Sequence, residues 1–232
     1  MKFQSAVFAI FIALTSPVFA QETRGSIINI NAEGISEASP DMATIRLGVT
    51  TTGRTAPLAL EQNSQRVTSL MEALRAAGIA ERDIQTSALS LHPSRRERVV
   101  FGYRAVNAVT VRVRDVQATG RIVDAVVAAG GNTIERISFS FQDPAAQADV
   151  ARRNALLEAR RRADLYAQTL GLRVVRMIEM SEPGAVRSNV EQLELTATLT
   201  TDSLLDELPQ IIPIAPGEVT TRASVSVSFE IR

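Results

Sequence analysis

Residues 41–77 read DMATIRLGVTTTGRTAPLALEQNSQRVTSLMEALRAA, and they decide the fold because the hydrophobic period changes within them. Over residues 41–52, apolar and polar side chains alternate, and the apolar set is Ala43, Ile45, Leu47 and Val49. This alternation predicts a half-buried strand. Residues 56–77 have helical spacing, with Pro57 in the first turn and Gly78 as the stop, which predicts a helix. Its apolar stripe comprises Leu60, Val67, Leu70, Met71 and Leu74.

The pattern continues downstream with a second set of the same elements. Residues 88–93 and 103–114 are predicted strands, and the arginine-rich residues 94–102 between them are a predicted solvated hairpin tip. Residues 116–129 form a predicted helix closed by Gly130-Gly131, and residues 133–142 a further strand. The order strand, helix, strand, strand, helix, strand is ferredoxin-like, which predicts an α+β fold with an antiparallel sheet.

A third helix is predicted over residues 144–171, and the side chains on one of its faces are unusually small. Residues at spacings of three and four make an alanine seam, which lets a helix pack closely on a sheet. The seam comprises Ala148, Ala151, Ala155, Ala159, Ala163, Tyr166 and Leu170. The opposite side carries arginines and an aspartate. We expect this helix to pack on the sheet.

The remaining strands flank this central part. Residues 26–35, 174–182 and 219–231 alternate or carry strand-forming residues, whereas residues 183–212 have little consistent period and are a predicted loop or excursion. Residues 21–232 are therefore predicted to form a single α+β domain. The two terminal strands could leave long edges that pair with another copy, or they could pair with each other inside one sheet.

Residues 1–20 have the pattern of a cleaved export signal. Lys2 precedes the short apolar run AVFAIFIAL, and Val18-Phe19-Ala20 places small residues at the −3 and −1 positions. The apolar run is too short to span a bilayer, which takes roughly 20 residues. The sequence predicts cleavage after Ala20 by a Sec-type route, no membrane span in the mature chain, and a location in a bacterial periplasm.

The composition after residue 20 excludes several kinds of chemistry. It contains no cysteine and no lysine, and His92 is its one histidine. Thiolate nucleophiles, Schiff-base lysines and zinc sites with several His or Cys ligands are therefore absent from this sequence. Charges cancel in the whole chain, which has 25 basic and 25 acidic residues. A duplex-binding protein usually needs a concentrated basic field, so nucleic acid is not a predicted partner.

Individual candidate sites have simpler structural interpretations. His92, with Ser90 and Asp83 nearby, lacks the Gly-x-Ser-x-Gly elbow that a nucleophilic serine would need. Consecutive helix residues point about 100° apart, so the arginine clusters cannot converge on one anion and are predicted to form a solvated or interface surface. These clusters are Arg152-Arg153 and Arg160-Arg161-Arg162.

Two further patterns fail as metal or phosphate sites. Asp202, Asp206 and Glu207 lack the dense alternating spacing of a calcium loop. Gly130-Gly131-Asn132 follows a helix instead of preceding one, so it is a predicted helix C-terminus and not a phosphate cradle. We predict no catalytic residue, no cofactor site and no metal site.

Blocks spread over residues 28–231 nevertheless resemble the SIMPL-domain family in order and spacing. They are Glu33-Gly34, Pro40-Asp41-Met42-Ala43, Leu47-Gly48-Val49, Gly78-Ile79, Asp83-Ile84-Gln85-Thr86-Ser87, Leu89-Ser90-Leu91, Pro93, Gly102-Tyr103-Arg104-Ala105-Val106-Asn107, Val111-Arg112-Val113-Arg114-Asp115, the stretch 151–171, Glu179 and Pro213-Ile214-Ala215-Pro216-Gly217-Glu218.

The resemblance implies an α+β fold with a long helix on its sheet, no known cofactor and no established catalytic residue. It also implies a periplasmic protein of the type that acts in oxidative-stress defence or, as an immunogenic envelope protein, assembles into a large channel-like homo-oligomer. We therefore expect a non-enzymatic, self-assembling envelope protein that contributes to oxidative or envelope stress tolerance. The alternatives are a binding module for a small envelope ligand, which needs an apolar pocket, and a hydrolase with two carboxylates facing each other across a cleft.

Overall fold

A computed structural model describes residues 25–96, 98–184, 186–189, 192–193, 197–198 and 215–232. The strands are β1 (Ser26–Ala38), β2 (Met42–Gly53), β3 (Ile84–Arg96), β4 (Val99–Val113), β5 (Thr133–Ser140), β6 (Val174–Ser181), β7 (Arg187–Asn189), β8 (Gln192–Leu193), β9 (Ala197–Thr198) and β10 (Val219–Ile231). The helices are α1 (Ala56–Ala76), α2 (Thr119–Ala128) and α3 (Pro144–Thr169). The predicted α+β class with antiparallel pairing is confirmed.

The central sheet has the predicted ferredoxin-like topology. Its strands lie in the order β3-β4-β2-β5, and β8 and β9 pair with the outer side of β5. Helices α1 and α2 cover one face, where a core of large aliphatic side chains includes Ile45, Leu47, Leu70, Val111 and Phe139. The short 3₁₀ segment Val116–Ala118 precedes α2. The predicted strand–helix–strand repeat therefore forms two layers, one of sheet and one of helices.

The strands at the two ends of the chain form a second, terminal sheet with the order β1-β10-β6, and β7 also pairs with β10. The pairing of β1 with β10 runs without a break from Ser26↔Ile231 to Ala38↔Val219. Of the two possibilities for the terminal strands, intramolecular pairing is the one observed. The expectation that both strands leave open edges is wrong, because β10 lies between β1 and β6.

Helix α3 packs on the terminal sheet, and its alanines form the contact. Ala148, Ala151, Ala155, Ala159, Ala163 and Ala167 are all buried. Three of them, Ala155, Ala159 and Ala163, lie against Ile30, Val225, Val227 and Phe229 in a second apolar core. The predicted seam is correct up to Ala163 but wrong for Tyr166 and Leu170, which are exposed.

Several predicted boundaries also change. Strands β3 and β4 extend to Arg96 and Val99, so the predicted solvated tip over residues 94–102 is mostly strand. Bulges interrupt the β3–β4 register and hide the alternation that would have shown this. Leu60 was predicted to belong to the buried apolar stripe of α1, but it is exposed, and Ala59 and Asn63 are buried instead.

Candidate functional site

The structure does not assemble a catalytic group around His92. His92 lies on β3 opposite Arg104 of β4. Asp83 comes directly before the same strand and nine residues before His92, which at strand geometry places it about 25–30 Å from His92. Asp83 therefore cannot orient the imidazole, and the three residues of the Ser-His-Asp interpretation do not meet. That His92 has no catalytic role stays a prediction.

Asp83 instead binds Arg114, which follows the last residue of the neighbouring strand β4. Arg114 donates to both carboxylate oxygens of Asp83, with Nε···Oδ2 and Nη2···Oδ1 distances of 2.8 Å each. The carboxylate is buried, whereas the guanidinium is about half exposed. The hydrogen bonds from Arg114 lower the pKa of Asp83 in spite of its burial. The pair joins the start of β3 to the end of β4.

Further hydrogen bonds tie this pair to the crossing between the two sheets. Arg114 Nη1 donates to Gln142 Oε1 over 3.2 Å. The Gln142 backbone N–H donates to Asp41 Oδ1 over 2.7 Å. Asp41 follows β1, and Gln142 precedes α3, so the network lies where the chain enters and leaves the central sheet. We assign it a structural role.

Four arginines of α3 are paired with nearby carboxylates. Arg152 binds Asp149 and Glu182, and Arg160 binds Asp164. Arg161 and Arg162 both donate to Glu158, and their hydrogen bonds lower the pKa of Glu158 to about 2. Only this last pair shares a carboxylate, which belongs to α3 itself, so the two arginine clusters do not converge on one external anion.

The residues after α2 also have a structural role. Gly130 adopts a φ of +94° at the helix end. The Asn132 side chain accepts from the Thr50 N–H and donates to the Thr50 carbonyl, both over 2.8 Å. This pair of bonds fixes the α2–β5 turn to β2. This contact could not be predicted from the sequence, since a lone asparagine after two glycines is common in helix C-termini.

The described part of the chain contains neither a metal-binding cluster nor a membrane-spanning helix. Within it, no group of three or more His, Asp or Glu side chains is arranged to hold a metal ion. No helix of the described residues is long and apolar enough to cross a membrane. The candidate calcium ligands Asp202, Asp206 and Glu207 lie outside the described residues.

One cavity opens on the face of the terminal sheet opposite α3. Its volume is about 1000 Å³, and its lining includes Glu33, Arg187, Asn189, Arg222 and Ser224. Arg187 and Arg222 are neighbours across the β7–β10 pairing. Arg222 also pairs with Glu33 over 3.4 Å. The described lining is therefore polar and holds two cations and one carboxylate. It is not the apolar pocket expected of a small-ligand module.

A second candidate surface is an apolar cleft between α3 and β6. We call Leu156, Met177 and Met180, which are 37%, 53% and 50% exposed, the α3–β6 cleft. Met177 and Met180 pair with Phe229 and Val227, so they share the sheet face on which α3 lies. Because α3 lies mainly over β1 and β10, it leaves these two methionines uncovered.

Charged groups border the cleft on its helix side. Leu156 is one turn from Arg152, which binds Glu182 just after β6, and one turn from Arg160, which lies over the Phe229 ring at 6.0 Å from its centroid. The alternation used to predict β6 gave no indication of this cleft. A signal was nevertheless present in the apolar residues of β6, since Val175, Met177, Ile178 and Met180 are all exposed.

Comparison with known proteins places this arrangement in a family. The family model of SIMPL, described as a protein of unknown function (DUF541), matches residues 28–229. The chain belongs to the SIMPL family. The resemblance inferred from the sequence blocks is thereby confirmed.

Two relatives show how far the similarity to other SIMPL proteins extends. The 26 kDa periplasmic immunogenic protein of Brucella melitensis is 31% identical over 237 residues, covering 95% of this chain and 92% of that protein. The uncharacterized protein YggE of Escherichia coli strain K12 is 27% identical over 207 residues, covering 81% of this chain and 84% of that protein. Neither name describes an enzyme.

Proposed function

We propose that this SIMPL protein is an exported, non-enzymatic periplasmic protein that assembles with copies of itself and contributes to oxidative or envelope stress tolerance. The location is supported by the export pattern in residues 1–20 and by the periplasmic relative. The stress role follows from the family resemblance. The self-assembly is supported by the α3–β6 cleft, which is the observation that carries the proposal.

The non-enzymatic part is supported by the way in which the polar groups are used. Among the described residues, the most buried carboxylate, Asp83, is bound by Arg114, and the buried Asn63 donates to the Val49 carbonyl over 2.9 Å. The described cavity lining contributes one carboxylate, Glu33, whereas a glycosidase-like mechanism needs two facing carboxylates. Each of these groups has a structural explanation.

Strand-edge pairing is a poor route for the assembly. On the outer edge of β1, α3 side chains already bind two backbone carbonyls: Asn154 Nδ2 donates to Ile35 O over 2.7 Å, and Arg162 Nη1 donates to Asn31 O over 3.2 Å. At the other edge, β6 pairs with β10 through two register shifts. Covered carbonyls and bulges both hinder the addition of a strand.

The cleft is a better contact for a second copy. Met177 and Met180 expose flexible apolar side chains, which adapt well to a partner surface. The ions that border it are already paired, so a neutral apolar surface fits it better than a charged ligand does. A contact between two such clefts can be self-complementary, as a two-fold interface requires.

Single cysteines can map this contact because the chain contains none of its own. We expect the thiol of Met177→Cys to alkylate several-fold more slowly at micromolar than at nanomolar protein concentration, because assembly covers it. Leu157→Cys, on the far side of α3 and 69% exposed, is the matched control and should alkylate at one rate throughout.

If the alkylation rate of each thiol is independent of protein concentration, the proposed contact is overturned. A concentration-dependent rate at Leu157→Cys alone would place the contact on the opposite side of α3 and contradict the cleft. Thermal melts of both variants verify that each is folded.

The cavity favours a second candidate function, the binding of a small anionic ligand. Arg187 and Arg222 lie side by side, and guanidinium groups bind carboxylates and phosphates in a bidentate manner. Citrate and inorganic phosphate are suitable probes. Stabilisation of the wild-type protein by either anion, lost in Arg187→Gln and kept in Arg153→Gln, would support this function. No stabilisation by either probe would count against it.

A further inference from the structure

The hairpin of β3 and β4 projects beyond the rest of the central sheet. The last residue of β2 in the pairing is Gly53, which lies opposite Tyr103. Beyond that point, β3 and β4 continue as a ribbon of two strands through Ser94↔Gly102 to Arg96↔Val99. We call residues 94–102 the ribbon. It can therefore touch a surface without any movement of the sheet.

The ribbon exposes an apolar set that the fold does not need. Val99 is 68% exposed and Phe101 is 64% exposed, and Val100 between them is also exposed. None of the three belongs to either apolar core. A cluster of exposed apolar side chains next to polar ones typically marks an interaction surface.

The same ribbon concentrates positive charge. Residues 94–102 contain three arginines and one glutamate, a formal net charge of +2, in a chain whose total is zero. The ion pairs of the described residues leave Arg95, Arg96 and Arg98 without a carboxylate partner. The ribbon therefore differs from the α3–β6 cleft, where the bordering ions are paired.

One of these arginines is held at an energetic cost. Arg98 adopts a φ of +95° in the turn, a conformation that favours glycine and disfavours a residue with a Cβ. A glycine at this position would relax the turn. Strained positions of this kind are common where the side chain has a function.

We propose that the ribbon docks on an anionic lipid leaflet. Apolar side chains next to arginines are the combination that binds such a surface: valine and phenylalanine enter the headgroup boundary, and the guanidinium groups bind lipid phosphates. Phosphatidylglycerol in the membranes that border the periplasm has this chemistry. The contact is peripheral and needs no spanning segment, and it is independent of self-assembly.

Vesicle co-sedimentation tests the proposal with protein purified from the periplasm of an expressing strain. The wild-type protein should bind phosphatidylcholine vesicles that contain phosphatidylglycerol, and it should dissociate from them at high salt. Arg95→Ser with Arg96→Ser should weaken the binding about thirtyfold. Val99→Ser with Phe101→Ser should weaken it about tenfold. The matched controls on α3, Arg153→Ser and Leu157→Ser, should bind as the wild type does.

Arg98→Gly separates a lost contact from a lost fold. It should raise the melting temperature, because it relieves the positive φ, and at the same time weaken vesicle binding roughly fivefold. A better-folded protein that binds less cannot be explained by misfolding.

Three results would overturn the proposal. The first is that the ribbon variants bind as tightly as the wild type, and the second is that the wild-type protein remains in the supernatant with the vesicles that contain phosphatidylglycerol. The third result is that the variants lower the sedimentation coefficient of the protein in the absence of vesicles while vesicle binding stays unchanged, which would make a second copy the occupant of the ribbon.

Discussion

At the scale of single residues, the most informative side chain is Asp83, because the two halves of its ion pair are not equivalent. The carboxylate is 5% exposed, while the Arg114 guanidinium that binds it is about half exposed. Removal of the arginine leaves a buried charge without its main partner, whereas removal of the carboxylate leaves an arginine that water can solvate. Loss of the arginine should therefore destabilise the fold more than loss of the carboxylate does.

This asymmetry predicts a ranking of stabilities. Asp83→Asn should lower the free energy of unfolding by about 1–2 kcal/mol at neutral pH. Arg114→Met should lower it by more, because the carboxylate stays buried. Arg75→Met, which breaks the exposed pair with Glu81, is the matched control and should have little effect. Equal losses for Asp83→Asn and Arg114→Met in urea titrations would contradict the account.

The pH dependence follows from the lowered pKa of Asp83. Its contribution is present above the unfolded value, near 3.9, and is lost as the pH falls through the lower folded value. The penalty of Arg114→Met should therefore be largest at neutral pH and shrink as the pH falls below about 4, because an unpartnered buried carboxyl then becomes neutral. A penalty that is constant from neutral to acidic pH would refute this cause.

At the scale of elements, the contact of α3 with the terminal sheet depends on the absence of side-chain volume. The six buried alanines allow the helix backbone to approach β1 so closely that Gly34 has no room for a Cβ, which would lie 2.1 Å from Ala151 O and from Ala155 N. Small residues on both sides thus set the helix-to-sheet distance.

Two substitutions test this contact. Ala159→Leu should cost about 1–3 kcal/mol of unfolding free energy, and Gly34→Ala should cost about 3 kcal/mol although it adds one carbon. Ala146→Leu on the exposed side of the same helix is the control, and it should change stability little. Thermal melts that show no loss for Ala159→Leu would mean that this face is not tightly packed.

The alanine seam also shows how far sequence reasoning reaches. The small residues up to Ala163 were predicted correctly because their spacing stays close to the helical period. From Ala151 onward the contact uses every fourth residue, and each such step turns about 40° beyond a full turn, since 3.6 residues make one turn. The buried line therefore drifts around the helix to Ala167, and Tyr166 and Leu170 fall outside it.

The elements that sequence reasoning missed depend on contacts distant in the chain. The ferredoxin-like order was predictable because each of its elements has a local period. The terminal sheet was not, because the β1–β10 register joins Ser26 to Ile231 and nothing local in either strand specifies its partner. The ribbon was missed because two bulges in the β3–β4 pairing break the period of two. The α3–β6 cleft depends on where α3 lies, which only the packing decides.

At the scale of the whole molecule, the terminal sheet is built from strands that precede and follow the main strands of the central sheet in the chain, and α3 packs on it. We predict that the mature protein begins at Gln21, because Val18-Phe19-Ala20 is the well-placed cleavage site. N-terminal sequencing of periplasmic protein checks this, and a start at Met1 or well beyond Gln21 would contradict it.

Self-assembly is the central claim about the whole molecule, because the uncovered α3–β6 cleft otherwise has no explanation. Sedimentation velocity of the unmodified periplasmic protein at micromolar concentration tests it most directly. The account predicts a species well above the monomer mass, which shifts towards the monomer in the Met177→Gln, Met180→Gln double variant and not in Leu157→Gln. A single monomeric boundary for the wild-type protein over the whole micromolar range would contradict it.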